Sequence, residues 1–280
     1  MSDQRASLPD FANPPVIEVA LAVQFKRIPG VRVAHMGLLW AFWKDGFSET
    51  EEHPPLEYAE ERFEPGPGPA QGARIVISPA PFVPRCWFLN KSGTELIQVQ
   101  PDRFVHNWRK VGEGDKYPRY EKIRDAFAGE LRHFCEFLNR EKIGEMIPTQ
   151  CDVTYVNHIE WGSGAEVWSG VEKVTALWSG EHSDAFLPAP EDVRFAVRYV
   201  MPGQDTKPVG RLHVSLQPAY RTADKKPILV LTLTARGKPI GEGFDGVLAA
   251  LNRGREWVVR GFAGVTTPQM HKAWRRLDAR

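Results

Sequence analysis

The chain has 280 residues, of which 25% are charged and 42% are hydrophobic, and its formal net charge is +1. These proportions indicate a soluble globular protein with a large core, arranged as one large domain or two average ones. The near-neutral charge excludes a global field that would attract nucleic acid or an anionic membrane, but it leaves room for a local basic face. No apolar run approaches the roughly 20 residues that a membrane span needs.

The N-terminus and the cysteines bear on the cellular setting. Residues 1–13 lack the apolar core of a signal peptide, so we predict that they form a short disordered leader. The three cysteines, Cys86, Cys135 and Cys151, are odd in number, widely spaced and surrounded by apolar neighbours. This usage is typical of reduced, buried thiols. We therefore predict a cytoplasmic protein.

The first half opens with a strand at residues 14–25. Apolar residues at period two line one face of it (Ile17, Val19, Leu21, Val23 and Phe25), while Glu18 and Gln24 lie on the other. A short helix near residues 36–43 is apolar around much of its circumference and should be covered on more than one side. The rest of the half is predicted as strands 56–63, 74–78, 85–90 and 95–100, a glycine- and proline-rich turn at 64–72, an exit from the sheet at 101–110, and a helix at 120–141.

The second half repeats this order. A strand at residues 149–161 is followed by a helix at 167–179, and three strands are predicted at 193–201, 211–217 and 228–236. Both faces of the last of these strands are apolar, which indicates a central or covered position. A long helix begins near Phe244 and restarts at Thr267 and Pro268, with threonine as N-cap and proline at the first helical position.

The element order predicts an α+β fold of two similar halves, residues 14–147 and 148–280, each written β-α-β(3–4)-α. We expect one antiparallel sheet that packs on the two long helices. This order is similar to that of the TATA-binding-protein and helix-grip folds, in which a curved antiparallel sheet wraps around a long helix. That similarity concerns architecture and implies no function.

Three groups of residues are candidate sites. The first is Arg103, His106, Asn107, Trp108 and Arg109, where amide, guanidinium and ring could bind an anion or a planar ligand. The alternative is structural: Trp108 fills the junction between sheet and helix, and Asn107 caps a turn.

The second group is the non-core face of the second sheet half. If Val193, Phe195, Val197 and Tyr199 point inward, Arg194 and Arg198 point outward, and on the next strand Arg211 and His213 do the same. Together these four side chains could form a basic face that holds phosphate or carboxylate groups. The alternative is a solvated face with cross-strand pairing.

The third group, Asn157, His158 and Glu160, contains a histidine and a carboxylate that could serve acid–base chemistry. No nucleophile lies nearby in the sequence, so we assign no catalytic residue. Glycine-rich phosphate loops, paired CxxC, HExxH and GxSxG are all missing, and the histidines lack ligand spacing. We predict no cofactor and no metal.

Three segments together resemble a bacterial family described as sporadically distributed proteins. They are residues 14–25 (PPVIEVALAVQF), 101–110 (PDRFVHNWRK) and 257–274 (WVVRGFAGVTTPQMHKAW). The resemblance runs over nearly the full chain, but it brings no activity with it. The patchy occurrence of the family hints at mobile genes such as defence cargo.

From these observations we predict a non-catalytic binding or assembly protein that presents a sheet surface or a cleft to a macromolecular partner or a ligand. A nucleic-acid binder that uses the basic face is the first alternative, and an enzyme with a dispersed site is the second. Self-association as a homodimer is a further expectation, since a pseudo-symmetric sheet has open edges.

Overall fold

A computed structural model describes residues 7–63, 83–164, 166–181, 186–188, 190–203 and 207–277. Nine strands alternate with five helices along these residues, which confirms the predicted α+β class with an antiparallel sheet. The predicted turn at residues 64–72 and the predicted strand at 74–78 lie outside the described residues.

The strands follow the runs of alternating apolar residues. Their bounds are β1 Val16–Phe25, β2 Glu49–His53, β3 Arg85–Leu89, β4 Glu95–Gln100, β5 Arg103–Arg109, β6 Pro148–Ile159, β7 Phe195–Pro202, β8 Pro208–Tyr220 and β9 Pro227–Gly237. All nine belong to one sheet, in the order β2-β3-β4-β5-β1-β6-β9-β8-β7, and every neighbouring pair is antiparallel. The two-sided apolar strand β9 lies between β6 and β8, in the interior of the sheet, as its sequence predicts.

The helices are α1 Val33–Trp43, α2 Tyr120–Arg140, α3 Glu166–Ser169, α4 Gly243–Val265 and α5 Pro268–Ala273. Ile123, Phe127, Leu131, Phe134 and Leu138 form the buried stripe of α2, which confirms the predicted helix. The break between α4 and α5 is also as predicted: Pro268 occupies the first turn, and the Thr267 hydroxyl accepts a hydrogen bond from the amide of Met270.

The core lies between the helices and one face of the sheet. On β5 the ring of Phe104 packs against Phe127 and Phe134 of α2 at centroid distances of 5.8 and 5.5 Å. Helix α4 approaches the sheet so closely at Gly254 that a Cβ atom there would lie 2.8 Å from a methyl carbon of Val153 on β6. Only glycine permits that approach, which brings α4 into close packing with β6.

Three predicted elements are wrong in the described structure. Residues 101–110 do not lead out of the sheet, because β5 pairs with both β1 and β4 near the middle. Residues 56–63 form no strand, and β2 at Glu49–His53 pairs with β3 instead. The predicted helix at 167–179 is reduced to the four residues of α3 and a 3₁₀ turn at Val171–Lys173. After that turn Thr175 pairs with Thr266 instead of extending a helix.

Two further expectations differ from the structure. Residues 7–13 of the predicted leader pack against the C-terminal region: Phe11 is buried, and the amides of Ala12 and Asn13 donate to the carbonyls of Arg275 and Trp274. Helix α1 is covered on one side only. Met36, Leu39 and Trp43 are buried, while Val33, Leu38 and Phe42 are exposed.

The described residues contain no helix with both the length and the apolar composition required to cross a membrane.

Candidate functional site

Side chains on the sheet face opposite the helices define the candidate site, and we call this face the polar face. Residues paired directly across antiparallel strands share a face, so the pairing places the predicted residues. Arg211 and His213 of β8 lie opposite Arg236 and Thr234 of β9, and Arg198 of β7 lies opposite His213. All of these belong to the polar face, whereas Leu212, Val214 and Leu216 of β8 are buried on the helix side. Arg194 precedes β7 and pairs with Asp192.

The structure divides the first predicted group between the two faces. Arg103, Asn107 and Arg109 lie on the polar face, opposite Gln24, Ala20 and Glu18 of β1. Trp108 lies on the helix side, is 4% exposed, and packs on Tyr117 at a centroid distance of 5.6 Å. This placement agrees with the structural alternative for Trp108 and removes it from any surface site.

His106 is also buried on the helix side. Its Nδ1 lies 2.6 Å from Oε2 of Glu130 on α2, and its Nε2 has no hydrogen-bond partner among the described residues. The imidazole therefore joins β5 to α2 inside the core. It does not gather with the arginines that flank it in the sequence.

The polar groups of the polar face are organised by residues 54–63, an extended segment that we call the strap. The strap crosses the sheet without strand pairing, and glutamine side chains hold its main chain. Gln100 of β4 accepts from the amide of Leu56 (2.9 Å) and donates to its carbonyl (3.0 Å). Gln24 of β1 makes the same pair of hydrogen bonds to Ala59, at 3.2 and 3.0 Å.

Other residues extend this row in both directions. Gln150 of β6 donates to the Ala59 carbonyl (2.8 Å) and accepts from the Glu61 amide (2.9 Å). Arg103 of β5 donates to the Glu57 carbonyl (3.0 Å) and to the side-chain oxygen of Gln24. The strap thus advances from β4 through β5 and β1 to β6. Five residues of extended chain span at most about 18 Å, which is enough to cover three strand spacings of about 4.8 Å each, or about 14 Å.

At the far end of the strap, the carboxylate of Glu61 contacts both of the basic residues predicted on β8. Its carboxylate accepts from Arg211, and its Oε2 lies 2.9 Å from Nε2 of His213. Burial disfavours the charged carboxylate, but the hydrogen bonds from His213 and Arg211 outweigh it and lower the pKa of Glu61 to about 2. The Arg211 guanidinium also stacks 4.8 Å from the ring of Phe63.

A second carboxylate, Asp152 of β6, neutralises the neighbouring cation. Arg236 of β9 donates to both of its oxygens, with distances of 3.0 to 3.2 Å. The bidentate geometry fixes both side chains and uses the donors of the guanidinium that face the sheet. The predicted basic face is therefore interleaved with acidic residues that the sequence analysis did not select.

In the first half of the polar face, a short chain of side-chain hydrogen bonds, which we call the relay, is centred on Asn107. Gln98 donates to Oδ1 of Asn107 (2.7 Å), and Nδ2 of Asn107 donates to the carboxylate of Glu18. Burial raises the pKa of Glu18 above its usual range, and the Asn107 hydrogen bond and the charge of Arg109 offset part of that rise. No Ser, Thr or Cys is hydrogen-bonded to this relay among the described residues, so it offers a carboxylate without a nucleophile.

The third predicted group does not assemble. Asn157 lies on the helix side, with Nδ2 donating to the carbonyl of Leu231, whereas His158 lies on the polar face opposite Val230. Glu160 follows β6 and pairs with Arg221. Burial and the charge of Arg221 lower the pKa of His158, while Glu160 opposes them. The histidine and carboxylate therefore do not form an acid–base pair.

The three strap-binding glutamines and Glu61 are the residues that the sequence analysis missed. Gln24 and Gln100 carry a weak signal, because each is a polar residue near the end of a strand whose alternate positions are apolar. Glu61 carries no signal, since its partner Arg211 is 150 residues away in the sequence.

In the described part of the chain, no group of three or more His, Cys, Asp or Glu side chains is arranged to hold a metal ion. Cys86 and Cys151 are buried and Cys135 is half-buried, and burial raises the pKa of the Cys86 and Cys135 thiols to about 11. Comparison of the chain with protein-family models and with curated proteins finds no match. The chemistry of its own residues is therefore the basis for a functional proposal.

Proposed function

We propose that this chain is a non-catalytic binding or assembly protein whose polar face takes a macromolecular partner, most naturally another protein. The surface we assign to the partner lies on β6, β9, β8 and β7, beyond the strap, and we call it the distal patch. Its members are Val156, His158, Val230, Thr232, Ser215, Gln217, Ala196 and Arg198.

One observation carries this proposal: the distal patch consists mainly of short hydroxyl and aliphatic side chains on four adjacent strands. Gln217 and Ala196 are exposed, and Thr232 and Ser215 are partly exposed. Such a surface is flat, and its short side chains lose little conformational entropy when a partner binds. It offers hydroxyl donors and acceptors together with apolar contact. These properties suit a protein partner.

The charge distribution disfavours the nucleic-acid alternative. Arg211 is paired with Glu61 and Arg236 with Asp152, so both of these cations already have carboxylate partners, and Glu61 also contacts His213. A binder of nucleic acid gains most of its affinity from cations that meet phosphates. The dispersed-enzyme alternative is also disfavoured, because His106 is buried on the helix side against Glu130, away from His158 on the polar face, and Glu160 pairs with Arg221.

We further propose that the two halves, residues 14–147 and 148–280, arose by duplication in the manner of TATA-binding-protein and helix-grip folds. The order β5, β4, β3 outward from β1 parallels β9, β8, β7 outward from β6, and each half ends in a long helix. Superposition of one half on the other tests this origin.

The three free cysteines support a cytoplasmic location, and the resemblance to sporadically distributed bacterial proteins supports an association with mobile or defence genes, as parts of the same proposal. Strands β2 and β7 form the two edges of the sheet, which supports a homodimer. Light scattering of the purified chain measures its oligomeric state directly.

The decisive experiment is affinity capture from the native host, with the wild type compared with Ser215→Arg. A long cation in the middle of the distal patch should prevent docking and abolish capture of the partner. Asn139→Arg is the matched control, since it adds the same charge at an exposed position of α2.

Loss of the captured protein with Ser215→Arg and its retention with Asn139→Arg would support the proposal. Equal capture by both variants would refute it. Recovery of nucleic acid whose binding falls steeply with added salt would instead favour the nucleic-acid alternative.

A further inference from the structure

A small cavity lies on the other side of the sheet, between the start of α2 and the middle of α4. Its volume is about 70 Å³, and its floor is formed by Tyr155, Asn157 and Leu233. Val258 and Phe262 of α4 and Tyr120 of α2 supply most of its walls. The cavity does not include the distal patch, so its role is independent of the proposed function.

The N-terminal segment covers part of the cavity. Phe11 packs edge-on against Phe262 with a centroid distance of 5.5 Å, and its main chain pairs with that of Arg276. At the mouth, Arg119 lies 2.6 Å from the carboxylate of Asp10. Residues 8–13 thus form a roof that is held by backbone hydrogen bonds, the buried ring of Phe11 and one exposed ion pair, and its opening requires no strand of the sheet to separate.

The floor of the cavity carries an acceptor that the protein does not use. Asn157 is 1% exposed, and its Nδ2 donates to the carbonyl of Leu231 at 3.0 Å. Its Oδ1 has no hydrogen-bond partner among the described residues. A buried amide oxygen without a partner costs free energy, so a group that donates to it would be bound favourably.

Two tyrosines, Tyr117 and Tyr155, line the same cavity and supply a donor. The hydroxyls of Tyr117 and Tyr155 lie 2.8 Å apart, and one of them must donate to the other. The second hydroxyl proton remains for a ligand, because burial raises the pKa of Tyr117 to about 12 and that of Tyr155 well above its usual range. Arg255 adds another donor, since its Nε is buried and has no partner among the described residues.

The charges around the cavity are already balanced. Arg255 pairs with Glu121 at 2.6 Å, and Arg119 pairs with Asp10. An anionic ligand would compete with these carboxylates and would lose its hydration in an apolar chamber. The ligand of this cavity must therefore be neutral, carry one hydrogen-bond donor and one acceptor, and be small enough to fit.

We propose that this cavity is a binding site for a small uncharged carboxamide. The amide N–H donates to Oδ1 of Asn157, and the amide oxygen accepts from the tyrosine pair and from Nε of Arg255. The short apolar part of the ligand contacts Phe262, Val258 and Phe11. A volume of 70 Å³ is about half that of an engineered chamber that holds benzene, so a ligand of more than about three heavy atoms must extend toward the mouth of the cavity at Asp10 and Arg119.

Propionamide is the probe, and propionate is its charged counterpart of nearly the same shape. In an NMR titration of the full chain, we expect propionamide to shift the amide signals of the residues that line the cavity. We expect propionate to bind at least tenfold more weakly. The double variant Tyr117→Phe, Tyr155→Phe removes both hydroxyls, keeps the ring shapes, and should weaken propionamide binding about tenfold.

Tyr120→Phe is the matched control. The Tyr120 ring lines the same cavity, but its hydroxyl already donates to Asn252 at 3.0 Å, so affinity should change less than twofold. Val258→Phe fills the chamber and should abolish binding. If that variant does not fold, the tyrosine variants decide the question alone.

Three results would overturn the proposal. The first is that propionamide shifts no amide signal at a concentration 100-fold above a millimolar dissociation constant. The second is that propionate binds as tightly as propionamide. The third is that the wild type and the double tyrosine variant bind propionamide with equal affinity. A crystal structure in which water alone occupies the cavity after soaking with propionamide would overturn it as well, since a chamber of this size accommodates water molecules.

Discussion

The two faces of the sheet bury their side chains through different interactions. On the helix side, Phe104, Leu21 and Val153 are buried by packing against α2 and α4, and rings and methyl groups fill the space between them. On the polar face, Gln24, Gln100 and Gln150 are equally buried, but their amides bind the main chain of the strap. The same strands therefore carry a non-directional core on one face and a directional hydrogen-bond array on the other.

This contrast shows which changes each face should tolerate. An apolar core loses stability in proportion to the volume removed, because the surrounding atoms relax only partly. A hydrogen-bonded array instead fails when one member leaves a buried partner unsatisfied. The helix face should be sensitive to size and the polar face to chemistry.

The largest expected effect comes from Trp108→Ala on the helix face. Removal of this buried ring should lower the free energy of unfolding by about 3–5 kcal/mol in urea denaturation, as large-to-small core substitutions do. Trp87→Ala on the polar face is the comparison. Trp87 is only partly buried, and the guanidinium groups of Arg85 and Arg109 lie 5.4 and 6.0 Å from its ring centroid. Its loss should cost about 1–2 kcal/mol. Equal losses at the two tryptophans would contradict the contrast between the faces.

A smaller effect is expected from Gln24→Ala. This change removes both hydrogen bonds to Ala59 and the acceptor for Arg103, which should cost about 2 kcal/mol. Hydrogen exchange at the Ala59 amide should accelerate strongly, because the strap loses its central anchor. Gln217→Ala, at an exposed position of the same face, should change stability by less than about 0.5 kcal/mol. Unchanged protection of Ala59 in Gln24→Ala would show that the strap does not depend on the glutamine row.

The smallest effect concerns pH. The pKa of Glu61 in the folded chain is about 2, below its ordinary value of 4.5. The folded state therefore binds this proton less readily than the unfolded state, so the contribution of Glu61 is complete above about pH 4.5 and is lost as the pH falls toward 2. Discounted for solvent screening, that contribution is about 1 kcal/mol.

Urea denaturation of the wild type and of Glu61→Gln across this pH range measures the contribution. The difference between the two proteins should shrink as the pH falls from 5 to about 2. Glu60→Gln changes the adjacent exposed carboxylate of the strap and should leave the wild-type pH dependence in place. A constant difference between wild type and Glu61→Gln at every pH would show that the pairing with Arg211 and His213 does not operate through charge.

Local patterns in the sequence predict most individual elements of this fold. The buried stripe of α2 at period 3.6 and the alternation on β1, β6 and β8 identify those elements within a few residues. The inward and outward residues of β8 were likewise assigned correctly, which places Arg211 and His213 on the polar face. Predictions from local sequence patterns are wrong where tertiary contacts determine the conformation of a segment. Residues 56–63 alternate like a strand, but glutamine side chains hold them as a strap, and Pro101 does not prevent β5 from pairing on both sides.

The sequence by itself determined which side of each strand and helix is apolar, because those periods depend on backbone geometry over a few residues. Only the tertiary structure decided which strands are neighbours, that Glu61 binds Arg211, and that Tyr117 contacts Tyr155 in the cavity that Asn157 lines. The first of these side-chain pairs is 150 residues apart in the sequence and the second is 38. Pairing over such distances depends on how the whole sheet assembles, and no local repeat in the chain encodes it.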